Sequence, residues 1–287
     1  MVKRAVPERP RGLYESLSWR WFHTFAPRLA KIETPDPPAK LAPWETVAIA
    51  RRGRRGTLAG TWYPRGGANE GAAARGAVLL LPPFLEWGRS YFHRRRRVES
   101  LRRAGYHVLA ADFPGFGGSG PPQGFFDRDV ADAVADLARR VPDLPLFVWG
   151  VSAGGYWSHP ALSDGAVAGA ARARVRAAFF EDVSPHLLEW AARLAPSGRP
   201  LYRLFRLLFP AAHRYLDLRH HAPALALPVV YVSGADDPGV RPEETRALAA
   251  SAGGEAEIVP GAGHLEAIKR ATQKVIDRAL ATFEKGF

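Results

Sequence analysis

Cysteine is absent from the 287 residues, and methionine occurs once. Without a thiol there is no disulfide framework, no thiolate nucleophile and no sulfur ligand for a metal, a composition at home in a reducing cytoplasm. Long apolar runs are missing too. No stretch reaches the ~18 residues that a membrane-crossing helix needs. The basic start Met1-Val2-Lys3-Arg4 is not followed by the apolar segment of a signal peptide. A cytoplasmic location is expected, with any membrane contact peripheral. Acidic residues are the minority charge: 28 Asp and Glu face 40 Lys and Arg, for a net charge of +12. Such a surplus favours anionic partners. The arginines are scattered over every segment, however, and no nucleic-acid module is recognisable, so solvated faces account for them and no nucleic acid is expected as a partner. Hydrophobic residues, at 47%, suffice for a large core, and the length suits one α/β domain with additions.

Leu13, Leu17, Trp21 and Phe25 recur at steps of four and Pro27 closes the pattern, which predicts an amphipathic helix within residues 13–28. Docking on the core is its default role. The alternatives are to cover a site mouth or to lie on an acidic membrane surface, where tryptophan with basic flanks is favoured. The proline-rich stretch 33–43 cannot continue a helix, so residues 1–43 read as an N-terminal helical extension with a linker, and 44–287 as the main domain. Trp44–Arg51 and Gly56–Tyr63 predict an antiparallel pair joined by Arg52-Gly53-Arg54-Arg55. Apolar runs at Ala77–Leu81, Tyr106–Ala111 and Leu146–Trp149, and further strands at Arg174–Phe180, Pro228–Val232 and Glu255–Val259, alternate with helical patterns. This alternation calls for right-handed crossovers and a mostly parallel sheet. Tyr91, Val98 and Leu101 predict one helix with Arg94–Arg97 on its solvated face, and Leu265–Phe283 a single closing helix. The alternation breaks at about 183–227. There Leu201, Leu204, Phe205, Leu208 and Phe209 share one face against Arg199, Arg203 and Arg206, which predicts a helical cap with an apolar underside.

These elements converge on Gly150-Val151-Ser152-Ala153-Gly154. A serine on a sharp strand-to-helix turn is held in strained backbone geometry with its hydroxyl exposed, and the flanking glycines keep the turn clear of strand and helix. The N–H of Ala153, opening the next helix, points to where an oxyanion would form. Alone, such a pentapeptide arises readily by chance in a chain with 28 glycines. Serine also needs a base within hydrogen-bond reach and an acid to orient that base. Two later strands are followed by Ser233-Gly234-Ala235-Asp236-Asp237-Pro238 and by Pro260-Gly261-Ala262-Gly263-His264, giving the order serine, acid, histidine of elbow-type hydrolases. Asp236 and Asp237 both fit the acid by position, and Asp182, near another strand end, is an outside candidate. His93, His159, His186, His213, His220 and His221 lack the spacing of a metal site and read as surface or structural residues. No metal and no cofactor is expected. Gly115-Phe116-Gly117-Gly118 lacks the context of a phosphate loop and reads as a structural turn.

Together these residues resemble the α/β-hydrolase-fold superfamily, from about Trp44 to the C-terminus. Asp112-Phe113-Pro114-Gly115-Phe116-Gly117-Gly118-Ser119 resembles its Asp-x-x-Gly-x-Gly-x-Ser turn, and Gly234-Ala235-Asp236-Asp237-Pro238 resembles its acid loop. The resemblance implies an α/β-hydrolase fold: a mostly parallel sheet flanked by helices, here with the cap insertion and the N-terminal extension. It implies Ser152 as nucleophile, Asp237, at the usual fourth position from the glycine, as acid, and His264 as base. It also implies an oxyanion hole built from the backbone N–H groups of Phe84 and Ala153. At that loop the sequence departs from the family, which commonly has His-Gly where this chain reads Leu81-Pro82-Pro83-Phe84. Proline has no N–H, and loss of one oxyanion donor typically costs ~100- to 1,000-fold in rate; Phe84 keeps its N–H. The implied activity is that of a carboxylesterase- or lipase-like serine hydrolase. It would act on an ester, thioester or amide of a hydrophobic small-molecule acyl substrate through an acyl-enzyme. Serine at the elbow speaks against dehalogenase and epoxide hydrolase chemistry, which resembles the use of aspartate there. The alternative is a non-catalytic relative whose basic surface and N-terminal helix bind an acidic membrane or a protein.

Overall fold

Eight short segments become the strands of one sheet: β1 (Glu45–Ala50), β2 (Thr57–Tyr63), β3 (Gly76–Leu81), β4 (Tyr106–Ala111), β5 (Leu146–Val151), β6 (Val175–Glu181), β7 (Val229–Gly234) and β8 (Glu255–Val259). The computed structural model describes residues 6–12, 15–17, 20, 34–66, 73–84, 88–163 and 165–287. The spatial order is β1-β2-β4-β3-β5-β6-β7-β8. β1, β2 and β4 pair antiparallel, and all later pairings are parallel. The helices named below are α1 (Arg97–Arg103), α2 (Asp127–Arg140), α3 (Ala153–Ser163), α4 (Gly169–Ala173), α5 (Leu187–Leu194), α6 (Arg199–Leu208), α7 (Pro210–Tyr215), α8 (Pro242–Ser251), α9 (Ala267–Arg270) and α10 (Thr272–Glu284).

Every residue of β3, β5 and β7 is buried, as strands covered on both faces require. Leu79, Leu81 and Val148 pack with residues of α2, α3 and α8 on one face. Val78, Leu80, Phe147 and Trp149 pack with α1, α9 and α10 on the other. α2 shows why such helices form: Val130, Ala133, Val134 and Leu137 recur at steps of three and four and are buried, while Asp127 and Asp129 open the helix and Arg139 and Arg140 close it, each sign favourable to the helix dipole. Leu81 pairs with Gly150, Val151 with Glu181, Glu181 with Val232, and Gly234 with Val259. The carboxyl ends of these strands therefore finish along one line, the edge at which open α/β sheets carry their sites.

Three expectations require correction. The single helix expected through Tyr91–Leu101 is instead a 3-10 turn at Gly88–His93 followed by α1, separated by Arg95 and Arg96 at φ +58° and +60°. Within the run Arg94–Arg97, Arg94 to Arg96 are exposed but Arg97 is buried. It donates to Glu181 at 3.0 Å and lies over the Tyr91 ring. The reason is Glu181, a buried carboxylate on β6 that also accepts from Trp149 Nε1 at 2.7 Å; an unpaired charge at that depth is strongly unfavourable, so a cation is drawn in beside it. The closing helix is interrupted at Ala271, φ −134°, which divides it into α9 and α10; Ile268 and Ile276 are nevertheless both buried. In the insertion between β6 and β7, the apolar face of α6 is not an underside as a whole. Phe205 is buried, whereas Leu204 and Leu208 are exposed, because α6 meets its neighbours along a narrower strip than its apolar stripe.

The amphipathic helix expected within 13–28 falls mostly outside the described residues; of its apolar positions Leu17 is described, and it is exposed. The segment before it is tied to the domain by Arg9, which pairs with Glu15 and with Asp127 of α2. No helix among the described residues is long and apolar enough to cross a membrane.

Candidate active site

Where β5 passes into α3, Ser152 sits at φ +49°, a left-handed conformation that costs a non-glycine residue roughly 1–2 kcal/mol. It is locked there from both sides. Ser152 N–H donates to Glu181 O at 2.7 Å, and Ser152 O accepts from Tyr156 N–H at 2.8 Å. A Cβ on Gly150 would lie 2.4 Å from Gly155 N, and one on Gly154 would lie 2.0 Å from Leu81 O. Gly155 is equally constrained, since its Cβ would come within 2.4 Å of Val183. That requirement is invisible in the pentapeptide, because it arises from a residue of the following crossover.

Ser152, Asp237 and His264 are brought together. Ser152 Oγ lies 3.3 Å from His264 Nε2, and His264 Nδ1 lies 2.7 Å from Asp237 Oδ2. With Nδ1 carrying the proton toward the carboxylate, Nε2 is left as the acceptor facing the serine hydroxyl. The other oxygen of Asp237 accepts from Gly239 N–H at 2.7 Å and Val240 N–H at 2.9 Å. Asp236, by contrast, is exposed and sends its N–H to Ala262 O.

Asp182 does not touch the imidazole, yet it is built into the same structure. It follows β6 directly at φ +52° and is fully enclosed, one oxygen accepting from Gly234 N–H at 3.3 Å and the other from Leu265 N–H at 3.0 Å. It thus fastens the turn carrying His264 to the ends of two strands. Burial pushes the Asp182 carboxyl up to about 7, with His264 opposing the rise. At His264 burial works against the imidazolium, but the hydrogen bond to Asp237 and the charges of Asp182 and Asp237 outweigh it and hold the histidine above its ordinary value. Among the described residues Asp182, Asp237 and His264 have a metal-ligating composition, with donor atoms within 4.8 Å of one another. Those donors are already committed to each other and to backbone N–H groups, so a cation would have to break the bonds just described.

The oxyanion candidates come from the start of α3 and from the loop that leaves β3. Ala153 is the first residue of α3, where an N–H has no partner within its own helix. The Phe84 ring packs among Phe113, Phe116 and Phe126 at centroid distances of 5.6, 6.2 and 5.4 Å, which anchors the backbone just after Pro82-Pro83. The close approach of Gly154 to Leu81 O presses the start of α3 against the end of β3, from which that loop departs. Residues 85–87 lie outside the described residues.

Two further contributors were not legible in the motifs. Trp190 of α5 lies with its ring 5.6 Å from that of His264, and a side chain on Gly239 would meet Trp190 Nε1 at 2.1 Å. Nothing local in the sequence marks this tryptophan. Two of the other buried histidines are braces: His159 bridges Gly155 O and Tyr231 Oη, each at 2.7 Å, and His221 bridges Ser163 Oγ and Tyr215 O, each at 2.8 Å, while the third, His186, meets His213 O at 3.2 Å.

A strained serine between a parallel strand and a helix, facing a histidine and a buried carboxylate from later strand ends, defines a class of site. The chain belongs to the alpha/beta hydrolase family, whose model matches residues 78–278. No curated protein sequence matches it. Among solved structures it is similar to an esterase of Pyrococcus furiosus, at 18% identity and TM-score 0.69, with 89% of this chain and 98% of that chain covered. A thermophilic esterase of Thermogutta terrifontis is similar at 20% identity and TM-score 0.59, covering 84% and 98%. A monoacylglycerol lipase of Paleococcus ferrophilus follows at 15% identity and TM-score 0.57, covering 78% and 99%. At such identities the likeness is one of fold.

Proposed function

We propose that the protein is a serine hydrolase that cleaves a carboxylic ester of a hydrophobic small molecule through an acyl-enzyme. The observation that carries this reading is the continuous relay from Ser152 Oγ through His264 to Asp237, at 3.3 and 2.7 Å. In it, His264 takes the Ser152 proton as the hydroxyl oxygen attacks the acyl carbon, and delivers that proton to the departing alcohol. It then takes a proton from the water that attacks the acyl carbon and returns it to Ser152 Oγ as the acyl–serine bond breaks and the acid leaves. Asp237 holds the imidazole tautomer and stabilises its positive form. The backbone N–H groups of Ala153 and Phe84 receive the oxyanion, and the packing of the Phe84 ring takes over the task of fixing a loop that prolines have deprived of glycine. The helical insertion acts as a cap, with Trp190 over the histidine edge. A hydrophobic acyl group is supported by the aromatic cluster around Phe84 rather than by the insertion's leucines.

The test is labelling with a fluorophosphonate followed by peptide mapping, a reaction that needs an activated serine and a usable oxyanion hole while presuming little about substrate. An adduct on Ser152 that disappears in His264→Ala is expected. Well-folded protein that forms no adduct would overturn the reading.

A further inference from the structure

The insertion leaves a surface that the hydrolase reading does not use. At about 100° per residue, Arg199, Arg203 and Arg206 of α6 fall in one sector, Leu204, Leu207 and Leu208 in the next, and Phe205 beyond them. Phe205 alone in this helix is buried. Leu207 is 76% exposed, Leu208 49% and Leu204 41%, and with Leu194 of α5 they make four of the six large apolar side chains exposed among the described residues. Scattered single leucines on a surface need no explanation, but a cluster marks a contact. The arginine sector borders a cavity of about 360 Å³ whose lining includes Arg193, Arg199, Arg203, Arg206 and Arg241, with Glu189 as its one acid. Arg193 is occupied by Glu244 and Gly239 O. Arg199, Arg203 and Arg206 pair with no carboxylate among the described residues.

We propose that α6 is the edge by which this protein docks on an anionic phospholipid surface, with Leu204, Leu207 and Leu208 entering the acyl boundary and the adjacent arginines meeting phosphate groups. The charge pattern selects this occupant. A helix lying in the plane of a bilayer needs apolar residues flanked by cations in neighbouring sectors. A second copy of this chain seated antiparallel on the same face, about a twofold axis perpendicular to α6, would bring these arginines against their own equivalents. The proposal stands apart from the catalytic reading, since Ser152→Ala should dock as the unaltered protein does.

The experiment is co-sedimentation with phosphatidylcholine vesicles with and without phosphatidylglycerol, at an ionic strength of about 0.15 M, where exposed charges are screened beyond ~8 Å. A net charge of +12 would draw any part of this protein to acidic vesicles, so the deciding variant leaves charge unchanged. Leu207→Ser combined with Leu208→Ser is expected to lower partitioning onto phosphatidylglycerol vesicles roughly ten-fold or more, with an unaltered melting temperature. Arg203→Glu combined with Arg206→Glu is expected to remove the preference for phosphatidylglycerol. Three results would each overturn the proposal: no binding by the unaltered protein, equal binding by the leucine variant, or a dimer in solution that the leucine variant converts to monomer.

Discussion

The sheet edge and helix α6 of the insertion are built to different standards. At the edge almost every polar atom is assigned: both oxygens of Asp237 and of Asp182 are bonded, and glycines stand where any Cβ would strike backbone. In the insertion, α6 buries one residue and turns three leucines outward. A reacting group must be held to within a fraction of an ångström, which only a rigid frame supplies. A surface that meets a partner needs shape and charge but tolerates variation. The two proposed roles divide accordingly: the chemistry is assigned to the frame and the docking to α6 of the insertion.

The hardest way to break the frame is through the acid. Asp237→Asn leaves geometry nearly intact but presents the wrong donor to His264, and ester turnover should fall by about 10⁴-fold, read as kcat under saturating substrate. Beneath the elbow, Arg97→Ala strands Glu181 as an uncompensated buried charge; urea denaturation should show a loss of about 3–5 kcal/mol. Two residues of α6 sharpen the contrast between regions. Phe205→Ala should cost about 3–5 kcal/mol, while Leu207→Ser, two positions on, should stay within about 0.5 kcal/mol. Similar losses for both would mean that the insertion is as tightly built as the edge.

The smallest expected effect concerns pH. His264 must be neutral to accept a proton, so kcat/KM should rise with pH through a midpoint above the ordinary histidine value of about 6.5 and be lost as pH falls through it. Asp182 contributes negative charge that favours the imidazolium. Asp182→Asn should therefore move the midpoint downward. A uniform fall in rate at every pH, with the midpoint unmoved, would reduce Asp182 to a structural tie. Because Asp182 itself ionises near 7, the midpoint belongs to the coupled cluster and not to His264 alone.

The elements that sequence reading recovered best are those fixed by local chemistry. β4 and β8 fall on the residues expected, β4 as an apolar run between polar turns and β8 as a short alternating segment between the glycines at 253–254 and 261. Ser152, Asp237 and His264 were legible because each sits on a turn immediately after such a run. Arg97 was not, because its burial depends on Glu181, a carboxylate distant in sequence and brought beside it by the sheet order. The leucines of α6 show a further limit. Periodicity marks an apolar stripe, but how much of that stripe is covered depends on what the helix meets. Trp190 reaches the site only through the path of the insertion, which no motif encodes.

Asp182 is both the brace of the histidine turn and the first residue after β6, so it sets a graft boundary. A cut placed after Asp182 keeps the ties to Gly234 and Leu265 on the frame's side, whereas the insertion beyond it carries Tyr215, Leu218 and Leu225 into the core shared with the sheet, and any replacement has to refill that space. A chimaera joined one residue earlier would remove the brace along with the cap.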